Sequence, residues 1–215
     1  MSFKGILFDL DGTLVNSLED LADSMNQVLR EFDCPVHQPE AYRYFVGRGI
    51  RNLVRDALPE SRRDEPTIAA CHRRMLEVYH DNCLNKTSPY DGIIDLLDEL
   101  KSRRLKLAVL SNKADELTGK TVAALLPDYF DAVLGMRAEE HRKPHPLGAL
   151  QISERLGVGP QEMLYLGDSS IDMETAANAG MYAVGALWGF RTKEELLASG
   201  ARQVIEHPLD LLGIL

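Results

Sequence analysis

The chain has little cysteine, and none of it is arranged in pairs. Its 215 residues include three cysteines, Cys34, Cys71 and Cys83, with no C-x-x-C spacing. This odd, scattered set argues against a disulfide framework and against a zinc site, so we expect reduced thiols that pack as ordinary side chains. The six histidines show no H-E-x-x-H pattern, the usual sequence sign of a zinc hydrolase.

Long apolar runs and excess positive charge are also lacking. No N-terminal segment resembles a secretory signal, and no run reaches the length that spans a bilayer. The net charge of −9 argues against non-specific binding to nucleic acid, which requires a basic surface. We therefore expect a cytoplasmic protein with no membrane or nucleic-acid partner, in which local positive groups attract any anionic substrate.

Short apolar runs do occur, and they alternate with helical patterns in the second half of the chain. Such runs are typical of buried strands. After the first run, which ends at residue 8, the predicted strands are residues 105–110, 132–134, 163–167, 182–187 and, as a possible edge, 203–205. This alternation predicts the α/β class, with a doubly wound parallel sheet.

Residues 16–87 contain helical patterns only. Asn16 and Glu19 have the spacing of a capping box at the start of the first helix. So much helix is too long for a simple connection between two strands. We therefore predict two domains, an α/β core of residues 1–15 and 88–215 and an inserted helical domain of residues 16–87.

Two carboxylates follow the first apolar run directly. Asp9 and Asp11 are two residues apart, so on an extended strand both side chains point the same way. Gly12 permits a tight turn beside a ligand, and Thr13 adds a hydroxyl. An alternative is an ordinary surface turn, because Asp-Gly is common turn chemistry.

Three further polar clusters follow predicted strands, at residues 111–112, 143–144 and 167–172. Taken singly, each cluster has a structural alternative. The first and the third could cap helices, and the second could be a rigid loop. The carboxyl ends of parallel strands share one edge of a sheet, so all four clusters can meet in one crevice. Carboxylates without a histidine suit Mg²⁺, while a lysine, a hydroxyl and an amide suit phosphoryl oxygens.

The four clusters resemble the motifs of the haloacid dehalogenase-like hydrolases, in their phosphatase branch. D-x-D-G-T stands at residues 9–13, the Ser or Thr motif at Ser111, K-P-x-P at residues 143–146 and G-D-S-x-x-D at residues 167–172. The resemblance covers nearly the whole chain. It implies a Rossmann-like sheet core, with residues 16–87 as an inserted all-helical cap domain.

The resemblance also implies roles for the acidic residues. Asp9 would be the nucleophile, and Asp11 would protonate the leaving oxygen and then activate water. Mg²⁺ would be held by Asp9, the Asp11 backbone carbonyl and Asp168, with Asp172 as a supporting acid. The second acid at Asp11 speaks against the dehalogenase branch, which lacks it.

The same resemblance assigns the phosphate-binding groups. Ser111 and Asn112 would contact phosphate oxygens, together with the Thr13 hydroxyl. Lys143 would neutralise both the phosphate and the charge of Asp9.

Residues 46–49 resemble the V-G-x-G loop of phosphoglycolate phosphatases. Gly47 and Gly49 would let the backbone approach a small substrate, and Arg48 would pair with a carboxylate, supported by Arg51. The alternative is that both arginines are solvated surface charges. Residues 188–190 and 196–201 also resemble that subfamily, whereas Asp91 departs from its usual proline.

Together with the residue types, the resemblance implies a Mg²⁺-dependent phosphomonoester hydrolase that acts through an aspartyl phosphate on a small phosphorylated metabolite. The leading candidate substrate is 2-phosphoglycolate. Alternatives are a pyrophosphatase, a nucleotide or sugar-phosphate phosphatase, a phosphomutase or, outside enzymes, a phosphate-binding module without catalysis. We expect a monomer or a homodimer.

Overall fold

A computed structural model describes residues 3–215, which form two compact units. The core unit runs up to Asn16 and resumes at Pro89–Leu215, and the helical unit comprises Ser17–Ser88. None of the helices in the described residues combines the length and the apolar character that crossing a membrane requires.

Six strands of the core unit form one parallel sheet, in the order β5-β4-β1-β6-β7-β8. The strands of this sheet are β1 Gly5–Phe8, β4 Lys106–Ala114, β5 Ala132–Met136, β6 Met163–Gly167, β7 Tyr182–Ala186 and β8 Gln203–Ile205. Two short strands, β2 Val15–Asn16 and β3 Ser88–Pro89, pair with each other. The short strands β2 and β3 lie where the chain leaves and re-enters the core unit. The prediction of a doubly wound parallel sheet is confirmed.

Helices flank the sheet and build the second unit. They are α1 Leu18–Glu31, α2 Tyr42–Phe45, α3 Ile50–Ala57, α4 Glu65–Asn82, α5 Ile93–Ser102, α6 Asp115–Leu125, α7 Leu147–Leu156, α8 Ser170–Ala179 and α9 Lys193–Ala198. Short 3-10 turns cover Pro39–Ala41, Glu60–Arg62, Glu139–His141, Pro160–Glu162 and Pro208–Gly213.

The sheet is buried on both faces, which explains why its strands read as continuous apolar runs. Ile6 and Phe8 of β1 belong to one hydrophobic cluster, which includes Leu96 of α5. Leu7 points the opposite way, into a second cluster with Ile152 of α7. Burial of each such side chain stabilises the fold by roughly 2 kcal/mol, and together the two clusters fix β1 at the centre.

Strand β4 differs from the prediction at its carboxyl end. It continues to Ala114, past residue 110 where we expected it to stop, with a register shift against β5 between Leu110 and Ala114. Within this irregular segment the Lys113 backbone N–H donates to Ser111 Oγ, 3.1 Å away. Ser and Asn are common helix caps, which is why the sequence predicted an earlier end.

The predicted capping box at Asn16 and Glu19 is wrong. Asn16 is part of the extended strand β2, so Ser17 is the residue that precedes α1, and the Ser17 side chain makes no capping hydrogen bond. The helix thus begins one residue later than the predicted cap requires.

The helical unit has its own apolar core. Helix α1 contacts α4, and α4 contacts α3, through buried side chains such as Met25 and Met75. Asp20 of α1 is buried and ties down the end of the unit. Its carboxylate accepts the backbone N–H of Lys86 at 3.0 Å, the N–H of Thr87 at 2.8 Å and the Thr87 hydroxyl at 2.7 Å.

Candidate active site

Three buried carboxylates converge at the carboxyl edge of the sheet. Asp9 follows β1, Asp168 follows the neighbouring strand β6, and Asp172 lies in the first turn of α8. Each offers an oxygen within 4.8 Å of the others. Parallel neighbours end at the same edge, so strand order alone brings the first and fourth sequence motifs together.

Lys143 is the positive centre of this cluster. Its Nζ lies 2.6 Å from Asp9 Oδ1, 2.7 Å from Asp172 Oδ1 and 3.2 Å from the Leu110 carbonyl oxygen. Three acceptors thus match the three N–H donors of the ammonium group. A buried lysine with two carboxylate partners is held in one orientation, with its charge directed at Asp9.

Asp172 is itself held by neighbouring groups. The Tyr165 hydroxyl donates to Oδ1 at 3.2 Å, and Ser169 donates to Oδ2 through its N–H at 3.1 Å and its Oγ at 2.6 Å. Ser169 and Asp172 also form the capping box of α8. Asp172 therefore starts the helix and orients Lys143 at the same time.

The loop after β7 closes tightly around Asp168. The Phe190 N–H donates to Asp168 Oδ2 at 2.7 Å, and the Thr13 hydroxyl donates to Oδ1 at 3.3 Å. A Cβ placed on Gly189 would lie 2.5 Å from both Asp168 Oδ2 and the Gly12 carbonyl oxygen. Glycine is required at position 189 because two backbone segments meet on one carboxylate.

Asp11 lies at the more exposed side of the site and pairs with a different lysine. Lys113 Nζ is 2.9 Å from Asp11 Oδ1, and the two side chains are 2% and 14% exposed respectively. The sequence analysis gave Lys113 no role. A lysine at the end of an apolar strand, directly after two motif residues, was the available signal.

The amide of Asn112 is engaged with the loop that carries Lys143. Asn112 Oδ1 accepts the Lys143 N–H at 2.8 Å, and Nδ2 donates to the Lys143 carbonyl at 3.3 Å. Ser111 is buried beside it. The second motif thus supports the third, a link that spacing in the sequence does not reveal.

Burial and mutual charge shift the pKa values of the side chains in this site. Burial and the charge of Asp172 raise the pKa of Asp9 well above its ordinary value, against the lowering effect of Lys143. Burial and Asp172 also raise the pKa of Asp168, to about 7. Burial lowers the pKa of Lys143, but Asp172 and Asp9 outweigh it and the net pKa is raised.

One lysine among three buried carboxylates leaves a net negative charge that a divalent cation would neutralise. All three candidate ligands are oxygen donors, the donor type that Mg²⁺ prefers. The residues present therefore fit the ion that the sequence analysis predicted.

All the predicted residues of the core unit have hydrogen-bond or ion-pair partners in this site. These residues are Asp9, Asp11, Thr13, Ser111, Asn112, Lys143, Asp168 and Asp172. Tyr165 and Phe190 were missed as well. Phe190 contributes through its backbone, which no side-chain pattern discloses.

The four remaining predicted residues, Gly47, Arg48, Gly49 and Arg51, belong to the helical unit. Both glycines have positive φ, 108° and 83°, so the backbone between α2 and α3 requires them. Arg48 Nη2 lies 2.7 Å from Asp56 Oδ2, and Arg51 pairs with Glu65. Acidic partners of this kind are expected if both arginines are surface charges, which was the alternative to a role in substrate binding.

The chain is similar to known proteins along most of its length. The profile of a family described as haloacid dehalogenase-like hydrolase matches residues 6–186. A phosphoglycolate phosphatase of Aquifex aeolicus (strain VF5) is 37% identical over 186 residues, which cover 86% of this chain and 85% of that protein. One from Chromobacterium violaceum is 32% identical over 213 residues, 97% of this chain and 96% of that protein.

Solved structures agree with the sequence relatives. A crystal structure from Lactobacillus delbrueckii subsp. bulgaricus, of a protein assigned as a phosphoglycolate phosphatase, matches with a TM-score of 0.93 at 30% identity. The match covers 98% of this chain and 97% of that one. The resemblance drawn from the four motifs is confirmed: the chain belongs to the haloacid dehalogenase-like hydrolases, in the branch of the phosphoglycolate phosphatases.

Proposed function

We propose that this phosphatase is a Mg²⁺-dependent phosphomonoester hydrolase that acts through an aspartyl phosphate, with 2-phosphoglycolate as its substrate. One arrangement carries the proposal. Asp9 lies at the carboxyl end of the central strand, in contact with Lys143 and beside two further buried carboxylates. A nucleophile, a cation and a set of metal ligands thus share one edge of the sheet.

Asp9, the Asp11 backbone carbonyl and Asp168 would hold the magnesium ion, with Asp172 close by. When bound, the ion would supply positive charge that offsets the phosphate oxygens and the clustered carboxylates. Thr13 and Phe190 keep the Asp168 carboxylate in place for this purpose.

In the first step an oxygen of Asp9 attacks phosphorus, and the bond from phosphorus to the ester oxygen breaks. Asp11 gives its proton to the departing oxygen, so an alcohol leaves instead of an alkoxide. The product of this step is a phosphoryl group on the Asp9 carboxylate.

In the second step water attacks the phosphorus of the aspartyl phosphate. Asp11, now a carboxylate, accepts a proton from that water, and the bond from phosphorus to the Asp9 oxygen breaks. Inorganic phosphate leaves, and both aspartates return to their starting states.

The remaining core residues hold charge and position. Lys143 offsets the negative charge on Asp9 and on the transferring phosphoryl group. We assign Asn112 a supporting part through the Lys143 backbone, in addition to phosphate contact. Ser111 and Thr13 would offer hydroxyl groups to phosphate oxygens.

The choice of 2-phosphoglycolate rests on the names of the relatives and on the Gly47–Gly49 loop. Arg48 would release Asp56 and pair with the substrate carboxylate, a planar two-point contact. We expect Arg48→Met to lower kcat/KM for 2-phosphoglycolate about tenfold and to leave a neutral alkyl phosphate unaffected. An equal effect on both esters would show that the loop does not determine which substrate is preferred.

The first experiment is phosphate release from a panel containing 2-phosphoglycolate, pyrophosphate, a nucleoside monophosphate and a sugar phosphate, with Mg²⁺ or with EDTA. A strong, Mg²⁺-dependent preference for 2-phosphoglycolate is expected. A higher kcat/KM for another ester would replace the substrate but keep the mechanism. An isomerised product with little free phosphate would indicate a mutase, and no turnover at all would indicate a binding module.

Asp9→Asn tests the nucleophile. An amide oxygen cannot form the acyl phosphate, so we expect turnover to fall by at least about 10³-fold. Asp95→Asn is the matched control, because Asp95 is exposed on α5, and it should retain full activity. Full activity in Asp9→Asn would show that the mechanism is wrong.

Location and assembly stay predictions. We expect a cytoplasmic monomer or homodimer, which fractionation and sedimentation would check.

A further inference from the structure

Lys113 is a buried charged group that the proposed reaction does not use. Its side chain is 2% exposed, whereas that of its partner Asp11 is 14% exposed. Lys113 is therefore almost fully enclosed by protein where it meets Asp11. A buried ammonium is costly unless it is paired, and Lys113 donates to the Asp11 carboxylate.

The main chain of Lys113 is held from two directions. Its N–H donates to Ser111 Oγ at 3.1 Å, and its carbonyl accepts the Thr118 hydroxyl of α6 at 3.2 Å. These contacts fix the irregular end of β4, so the lysine reaches Asp11 from a rigid base. The first two acids of the chain thus have separate lysines, Lys143 for Asp9 and Lys113 for Asp11.

An ion pair to one carboxylate oxygen restricts the rotation of that carboxylate. With Oδ1 of Asp11 anchored at 2.9 Å, its second oxygen is presented in one orientation. Proton transfer in a transition state depends on such placement, because small displacements of a catalytic group cost large factors in rate.

We propose that Lys113 is a positioning residue, which orients the Asp11 carboxyl group for proton transfer to the leaving oxygen. The inference rests on the proposed function, because it takes Asp11 as the general acid. It assigns Lys113 no contact with substrate.

The test compares two esters that differ in their need for an acid. The alkoxide of 2-phosphoglycolate requires a proton as it leaves, whereas the phenolate of p-nitrophenyl phosphate leaves without one. The parameter is kcat/KM, which covers only the steps up to departure of the leaving group, so hydrolysis of the aspartyl phosphate does not enter. If the panel favours another alkyl ester, that ester replaces 2-phosphoglycolate.

We expect Lys113→Met to lower kcat/KM for 2-phosphoglycolate about 100-fold and that for p-nitrophenyl phosphate by less than about threefold. The ratio of the two values within one preparation does not depend on the fraction of folded protein, so a poorly folding variant still gives an answer. Lys113→Gln, which keeps an N–H donor, should restore part of the ratio. Mg²⁺ affinity measured by calorimetry should stay within about threefold of the wild type.

Lys106→Met is the matched control. Lys106 begins the same strand and pairs with Asp131 at 2.7 Å, but it is half exposed and at the opposite edge of the sheet. Both kcat/KM values should stay within about twofold of the wild type, as for an ordinary surface pair.

Equal losses for the two esters, or no loss for either, would overturn the inference. Asp11→Asn separates this failure from failure of the proposed function. If Asp11→Asn selectively impairs the alkyl ester and Lys113→Met does not, Lys113 has no positioning part and Asp11 remains the acid. If Asp11→Asn is not selective either, the proposed role of Asp11 is wrong.

Discussion

At the scale of residues, Lys143 supplies the positive charge that compensates the buried carboxylates of the site. Its side chain is 3% exposed, and its ammonium group contacts Asp9 and Asp172. Removing one partner of a buried ion pair leaves charge without compensation, which is more damaging than never having built the pair.

Lys143→Met should therefore reduce both activity and stability. We expect the free energy of unfolding of the metal-free protein at pH 7.5 to fall by about 3 kcal/mol, and turnover to fall at least about 10²-fold. Urea titration and phosphate release measure the two effects. Lys4→Met, which removes an exposed pair with Glu162, should change stability by less than about 1 kcal/mol. Similar losses in both variants would contradict this account.

At the scale of elements, the segment 86–87 is held to α1 by one carboxylate. Asp20 accepts three donors there and is almost fully buried. Asp20→Ala would leave those donors without an acceptor, and we expect a loss of about 3 kcal/mol in the free energy of unfolding.

Asp23→Ala is the comparison for Asp20→Ala. Asp23 pairs with the Lys86 side chain at 2.8 Å, but its own side chain is 57% exposed. Its removal should cost less than about 1 kcal/mol. Chemical denaturation of both variants measures the two losses in the free energy of unfolding. A loss for Asp20→Ala no larger than that for Asp23→Ala would show that the buried hydrogen bonds contribute little to stability.

The loop after β7 gives a second prediction at this scale. A methyl group at position 189 has no room beside Asp168, so Gly189→Ala should displace that carboxylate and weaken Mg²⁺ binding at least about tenfold by calorimetry. Gly119→Ala on α6 meets no neighbouring atom within 4 Å. It should leave the affinity unchanged and stabilise the helix by up to about 1 kcal/mol. Unchanged affinity in Gly189→Ala would mean that the loop does not shape the metal ligands.

Elements with a clear periodicity of apolar residues were predictable from the sequence, and irregular segments were not. The sheet, the helices and the four motifs follow from apolar runs and from residue types at strand ends. The end of β4 did not, because Ser111 and Asn112 resemble a helix cap. The parts played by Lys113 and by the Phe190 N–H depend on tertiary contacts with Asp11 and Asp168, which local sequence does not encode.

At the scale of the molecule, the acid cluster should set a pH dependence of stability. Burial and Asp172 raise the pKa of Asp168 from its ordinary value of 3.8 to about 7. Between about pH 4 and pH 7 the folded protein thus binds more protons than the unfolded chain. The contribution of this group to the free energy of unfolding of the metal-free protein therefore falls as pH rises through this window, by roughly 4 kcal/mol.

Asp168→Asn removes that titrating group and, with it, the charge by which Asp168 helps to raise the pKa of Asp9, and both changes act in the same direction. The difference in free energy of unfolding between variant and wild type should move in favour of the variant as pH rises from 4 to 7.5. Burial lowers the pKa of His72, which gives the opposite slope, but this effect is common to both proteins and cancels. Urea titrations in EDTA across this range provide the measurement, and a constant difference would contradict the raised pKa.

The position of β1 has a consequence for synthesis of the chain on the ribosome. Phe8 pairs with Val109 on one side and with Leu166 on the other, so β1 emerges well before either of the strands that it pairs with. The helical unit is contiguous and has all its contacts once residue 88 has emerged. Asp9 is translated long before Asp168 and meets it only after β6 has emerged, so catalytic competence has to wait for that strand.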